Sequence, residues 1–201
     1  MTDEPNRRKD RIYIVAIVVW ALAIATGMGI LWRYKSTPGD SGAAPERWPS
    51  TSPLAVGEEP TLIMFIHPQC PCTRASLEEL AVLMTQFHGQ VRAYVLVERP
   101  EEYEGEIRES AYWRRASELA GVNVIADDGG VEKARFGART SGHTMLFDRH
   151  GALLFSGGIT ASRGHVGDNI GRQRVTALLS QGAADRSDSP VFGCELVNTR
   201  K

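Results

Sequence analysis

The chain carries no excess of positive charge: 23 Lys and Arg stand against 24 Asp and Glu, a formal net charge of −1. That balance excludes the electrostatic footprint of a nucleic-acid binder, which needs clustered cations to meet phosphates. No internal repeat is visible. Charge is absent altogether from Ile12 to Trp32, a run of 21 residues, and apolar periodicity is absent from Ser36 to about Pro60. What is present, 42% hydrophobic residues in 201, suffices for one domain with a real core and some appendages.

The uncharged run is long enough to cross a hydrocarbon core of ~30 Å as a helix. Arg7, Arg8, Lys9 and Arg11 precede it and only Arg33 and Lys35 closely follow. The positive-inside rule then keeps residues 1–11 in the cytoplasm and exports the rest. Residues 12–32 are expected to be a single-pass anchor in the lipid of the cytoplasmic membrane, with the globular part periplasmic or extracellular. Ala21-Leu22-Ala23 has the small-x-small pattern of a signal-peptide cleavage site, but the apolar run continues past it. Residues 33–59, rich in Ser, Pro, Gly and Ala, are expected to form a flexible linker, because they offer too little apolar surface to offset their ordering entropy.

A domain over 60–182 opens with Thr61-Leu62-Ile63-Met64-Phe65-Ile66, a run suited to a strand covered on both faces. Leu77, Leu80, Ala81, Met84 and Phe87 then recur at helical spacing up to Gly89. A second strand, Val91 to Val97, implies parallel pairing with the first through a right-handed crossover. Further elements are expected at Ile107 to Ala120 (helix, after an acidic loop from Glu101 to Glu106), Val122 to Ile125 (strand) and Val131 to Phe136 (helix). Thr144 to Phe147 and Ala152 to Phe155 read as a hairpin, and Asp168 to Leu179 as a helix capped by Asp168. Residues 183–201 form a tail that carries Cys194.

Two of the three cysteines lie in Ile66-His67-Pro68-Gln69-Cys70-Pro71-Cys72-Thr73, where the first strand meets its helix. This order of elements resembles the thioredoxin fold over roughly Pro60 to Gln181, an α/β fold with a mixed central sheet flanked by helices, here behind an N-terminal transmembrane helix. Asp127-Asp128-Gly129-Gly130 through Phe136-Gly137 to Leu146-Phe147-Asp148 looks like the membrane-anchored, exported thioredoxin-like proteins of bacteria. More narrowly, Cys-Pro-Cys-Thr-Arg-Ala-Ser, Gly157-Gly158-Ile159-Thr160 and Ser162-Arg163-Gly164-His165 resemble the set labelled RedB. The resemblance implies exchange with protein thiols or disulfides outside the cytoplasm.

Two departures from that family pattern stand out. The usual Cys-x-x-Cys is Cys70-Pro71-Cys72, one residue shorter. Counting from Phe65 places Cys70 on the family's exposed nucleophile, and counting back from the helix places Cys72 on its buried resolving partner. The family's cis-proline before the hairpin is also missing. Spacing back from Gly151 puts His143 there, where a trans bond is expected and an imidazole could stand beside the thiols as base or ligand.

A thiol at a helix N-terminus meets unpaired N–H groups and the positive end of the helix dipole, and both favour thiolate. Cys70 is therefore the candidate nucleophile toward a disulfide, with Cys72 or Cys194 to resolve the mixed disulfide. Extended chain from Ala183 to Cys194 could reach back ~40 Å, against ~18 Å for the preceding helix. Arg163 and His165, in a glycine-rich loop from Gly157 to Gly167, are further candidates on the same side. Cys70 and Cys72 with His67, His143 or His165 would alternatively suit Cu(I) or zinc. Copper delivery on a thioredoxin fold, with Cys70, Cys72 and His143 as ligands, is the first alternative function; the second is a thiol peroxidase in which Cys70 or Cys72 meets peroxide, Arg163 stabilises the thiolate, and Thr73 and Arg74 hint at the usual surroundings; otherwise no cofactor is expected.

Overall fold

A computed structural model describes residues 4–99 and 106–196; the acidic stretch expected from Glu101 falls, except for Glu106, outside the described residues. The chain divides into two units, Met1–Thr37 and Pro38–Lys201. In the first, α1 (Glu4–Ser36) is over Lys9–Ser36 long and apolar enough to cross a membrane, with an 18-residue stretch of mean hydropathy 2.5.

The second unit is built on a five-stranded sheet of order β3-β2-β1-β4-β5. Its strands are β1 (Thr61–Ile66), β2 (Arg92–Arg99), β3 (Val122–Asp128), β4 (His143–Phe147) and β5 (Leu153–Gly158). β1 pairs in parallel with β2 and antiparallel with β4, β2 pairs in parallel with β3, and β4 with β5 forms the expected hairpin. The helices are α2 (Thr73–Gln86), α3 (Ala111–Ser117), α4 (Val131–Phe136) and α5 (Ile170–Gln181). This is the thioredoxin-like fold, with every residue of the central strand β1 buried, as its unbroken apolar run requires.

Alternation along β1 and β4 sends side chains to two cores. Leu62, Met64, Ile66 and Leu146 join Leu77, Leu80 and Leu83 of α2, Ala116 of α3 and Val175 of α5. Ile63, Phe65, Met145 and Phe147 join Phe136 of α4 on the other face.

Three expectations change. The helix foreseen over Ile107 to Ala120 breaks at Ser110, which follows a single 3₁₀ turn and caps α3 by accepting the N–H of Trp113 at 3.2 Å. The last helix starts at Ile170 because Asn169, not Asp168, is the cap: its Oδ1 takes the Arg172 N–H at 2.7 Å. From Pro38 onward the supposed flexible linker is packed on the sheet. Trp48 meets Phe136 and Phe147 edge-on at ring-centroid distances of 4.9 and 5.1 Å, Leu153 N donates to Glu46 O at 2.9 Å, and Arg47 bridges Ala152. Gly42, with positive φ, lies so close to Gly137 that a Cβ would stand 1.9 Å from its carbonyl oxygen. One aromatic anchor and close backbone approach thus order a segment whose composition reads as loose.

Candidate functional site

Cys70 and Cys72 sit where β1 runs into α2, and the turn between them is closed by Thr73 N donating to Cys70 O at 3.0 Å. Cys72 is the N-cap residue of α2. The preceding loop is fixed from below by Ser141, whose Oγ accepts the His67 N–H at 3.0 Å and shares a 3.1 Å hydrogen bond with Thr73 Oγ1. Thr73 Oγ1 also donates to His67 O, and His67 Nδ1 accepts from Gln69 N, so His67 shapes the loop.

The third cysteine has come to this place. The backbone N–H of Cys194 donates to Cys70 Sγ at 3.3 Å, and the tail is pinned there by Ser141 N donating to Cys194 O at 2.8 Å. All three cysteines are free thiols. The sulfur of Cys70 accepts from the Cys72 thiol above all, then from the Cys194 thiol and from the backbone N–H groups of Cys194 and Cys72. Against the opposing effect of burial these donors lower its pKa to about 4. The partners move the other way: Cys72 is raised chiefly because its proton is held on Cys70, and Cys194 is raised to about 11, by burial first and by its bond to Cys70 next. One anionic sulfur, that of Cys70, held by two neutral thiols is the outcome.

Sequence reasoning makes Cys70 the exposed cysteine, yet it is 1% exposed against 8% for Cys72. Arg163 lies where the glycine-rich loop was expected to bring it, donating from Nη1 to Gly193 O, and its charge lowers the pKa of both Cys72 and Cys194. His165 is exposed, and its side chain makes none of the contacts that hold or polarise the thiols.

His143 does not join them either. It heads β4 opposite Phe65, so alternation places it on the Met145 and Phe147 face of the sheet rather than the face covered by α2. It is fully buried, its Nε2 bonds Ser156 Oγ at 2.8 Å, its Nδ1 has no hydrogen-bond partner, and burial lowers its pKa to about 4. The missing proline leaves no cis bond among the described residues. His143 therefore stands on the other face of the sheet from the thiols with which it was expected to hold copper. Thr73 and Arg74 are occupied elsewhere, the first with His67 and Ser141, the second with Glu78 at 3.0 Å.

Two participants escape sequence reading. Ser141 carries no periodic or motif signal. Tyr112 lies inside an amphipathic helix like any core aromatic, yet its phenol is raised first by burial and next by the charge on Cys70, which places α3 at the edge of the site.

No protein-family model matches the chain, and no curated protein matches it in sequence. Solved structures share its fold. An uncharacterised conserved protein of Geobacillus kaustophilus superposes with a TM-score of 0.58 at 18% identity, covering 82% of this chain and 93% of that one. A hypothetical protein of Sinorhizobium meliloti 1021 does so at 0.58 and 20% identity, over 82% and 96%. A secreted Mycobacterium tuberculosis disulfide oxidoreductase lies further off, at 0.44 and 13% identity over 63% and 84%, a likeness too distant to speak for the chemistry.

Proposed function

We propose that the chain is a membrane-anchored thiol–disulfide oxidoreductase whose globular domain works outside the cytoplasm, with Cys70 attacking protein disulfides. The observation that carries this reading is the Cys70 sulfur, held as thiolate by two thiols and two backbone N–H groups, with its pKa lowered to about 4. A thiolate is the reactive form in disulfide exchange, and a neighbouring thiol is what a mixed disulfide needs for resolution. The apolar helix Lys9–Ser36 supports the anchor. The excess of cations before it supports an N-terminus inside and a domain on the far side of the cytoplasmic membrane. Its partners are then exported proteins bearing disulfides, together with the lipid around the helix.

The test is reduction of a protein disulfide by the full-length chain in detergent, with dithiothreitol as electron source. The wild type is expected to accelerate the reaction and Cys70→Ser to abolish the acceleration. Full activity in Cys70→Ser would overturn the assignment. Stoichiometric Cu(I) on anaerobically purified protein, lost in Cys70→Ser and accompanied by no disulfide reduction, would make the chain a copper carrier instead.

A further inference from the structure

The tail is held as closely as a strand of the sheet. Asp188 bridges Ser156, Ser189 Oγ donates to Gly158 O at 2.6 Å, and Gly39 N donates to Val191 O at 2.8 Å. Glu195 pairs antiparallel with Thr140, flanked by Ser141 N to Cys194 O and Leu196 N to Arg139 O, both 2.8 Å. Val191 and Leu196 are buried in full. Glycine makes the approach possible: a Cβ on Gly193 would stand 1.9 Å from Ser141 O, and one on Gly158 would stand 2.6 Å from Pro190 O.

This tail segment, tied by isolated bridges, roofs the Cys70 sulfur. Cys70 is 1% exposed beneath it while Cys194, in the roof, is half-buried. An incoming disulfide must present a sulfur to the Cys70 sulfur in line with its own S–S bond, and a Cys70 that is 1% exposed, with the Cys194 N–H on its sulfur at 3.3 Å, leaves no room for one. Cys72 is poorly placed to resolve what Cys70 forms, since a ring closed by cysteines two residues apart departs from relaxed disulfide geometry.

Resting on the reading of Cys70 as nucleophile, we propose that the C-terminal strand is both the cover of the site and the carrier of its resolving thiol. It lifts to admit a partner disulfide, and its return brings the Cys194 sulfur onto Cys70. In the first step the Cys70 thiolate bonds one partner sulfur, the partner's S–S bond breaks, and the released thiolate takes the proton given up by Cys194. In the second, Cys194 bonds the Cys70 sulfur, the bond from Cys70 to the partner breaks, and the second partner sulfur leaves as thiolate. The partner gains two electrons and the Cys70 and Cys194 pair loses two; an external dithiol restores the pair by the reverse exchanges. Arg163, bonded to Gly193 O beside these thiols, is a positioning residue for the closed strand.

The experiment uses the reduced full-length chain in detergent with one equivalent of glutathione disulfide, acid quenching, alkylation and mass mapping. The wild type and Cys72→Ser are expected to yield a Cys70–Cys194 bridge, with Cys72 free where present. Cys194→Ser should accumulate a glutathione adduct on Cys70. A tethered thiol acts at an effective concentration on the order of millimolar, so an external thiol at about 10 µM should clear that adduct about a hundredfold more slowly. A Cys70–Cys72 bridge in the wild type, or clearance in Cys194→Ser at the wild-type rate, would overturn the proposal. Gly193→Ala, which forces the strand off Ser141, should speed alkylation of Cys70 by iodoacetamide severalfold, and an unchanged rate would overturn the covering role. Absence of any Cys70 adduct in every variant would instead remove the nucleophile reading beneath it.

Discussion

Glu79 Oε2 lies 2.6 Å from Nε of Arg172, a carboxylate 1% exposed against a guanidinium 19% exposed. The same carboxylate accepts Gly167 N at 2.6 Å and Asn169 Nδ2 at 3.2 Å, so one side chain of α2 ties down the end of the glycine-rich loop and the cap of α5.

Removing it leaves the largely buried Arg172 with only the exposed Asp168 carboxylate, 3.5 Å away, as counter-charge, a change that costs about 3 kcal/mol, the low end for a broken buried pair. Glu79→Ala is expected to lower the urea midpoint accordingly. Chemical denaturation followed by tryptophan fluorescence measures it, and a loss under about 1 kcal/mol would show that the pair is not sealed from water.

His143 makes stability depend on pH. Its folded pKa, about 4, lies below the ordinary 6.5, so between those values the unfolded chain binds a proton that the folded chain does not. Stability is complete above pH 6.5 and falls as the pH drops toward 4, by about 3 kcal/mol at 1.36 kcal/mol per unit. His143→Gln removes the titrating group, so urea melts at pH 7 and pH 4.5 should differ less in the variant than in the wild type.

The Cys70 thiolate depends on its donors in a stated order. Loss of the Cys72 thiol should raise its pKa more than loss of the Cys194 thiol, because the Cys72 bond is the larger influence. A hydrogen bond to a charged group contributes about 1.5–3 kcal/mol, which corresponds to about 1–2 units. Iodoacetamide reactivity against pH in Cys72→Ala and Cys194→Ala measures both shifts, and equal midpoints would refute the ranking.

Trp48 tests whether residues 38–60 belong to the domain. Its ring meets Phe136, Phe147 and Tyr94, and its Nε1 donates to Leu54 O at 3.0 Å. Trp48→Ala is expected to cost about 2–3 kcal/mol. A tether would register no change in the denaturation midpoint.

Much of this was legible in the chain itself because the signals are local. The unbroken run from Thr61 to Ile66 reads as a buried central strand, and the two cysteines that follow it read as the start of a helix. What escaped depends on contacts distant in sequence. Ser, Pro, Gly and Ala between residues 36 and 60 conceal how well Trp48 fits a pocket formed by three other elements. Counting back from Gly151 finds the position of His143 but not the face to which it turns, which alternation from Phe65 and Met145 decides. Cys194 could be given reach from its distance along the chain, whereas its pairing partner, Arg139 to Ser141, has no mark in the sequence.

Three bonds near the start of the second unit carry a mechanical consequence. Gly39 N is bonded to Val191 O, Asp40 O accepts from Thr140 Oγ1 at 2.6 Å, and the Asp40 carboxylate meets Arg139 at 3.1 Å. These are the first attachments met along the load path from residue 38, and each grips either the tail strand or the edge on which that strand is seated. Tension applied to the chain there bears on the fastening of the thiol site before it reaches β1.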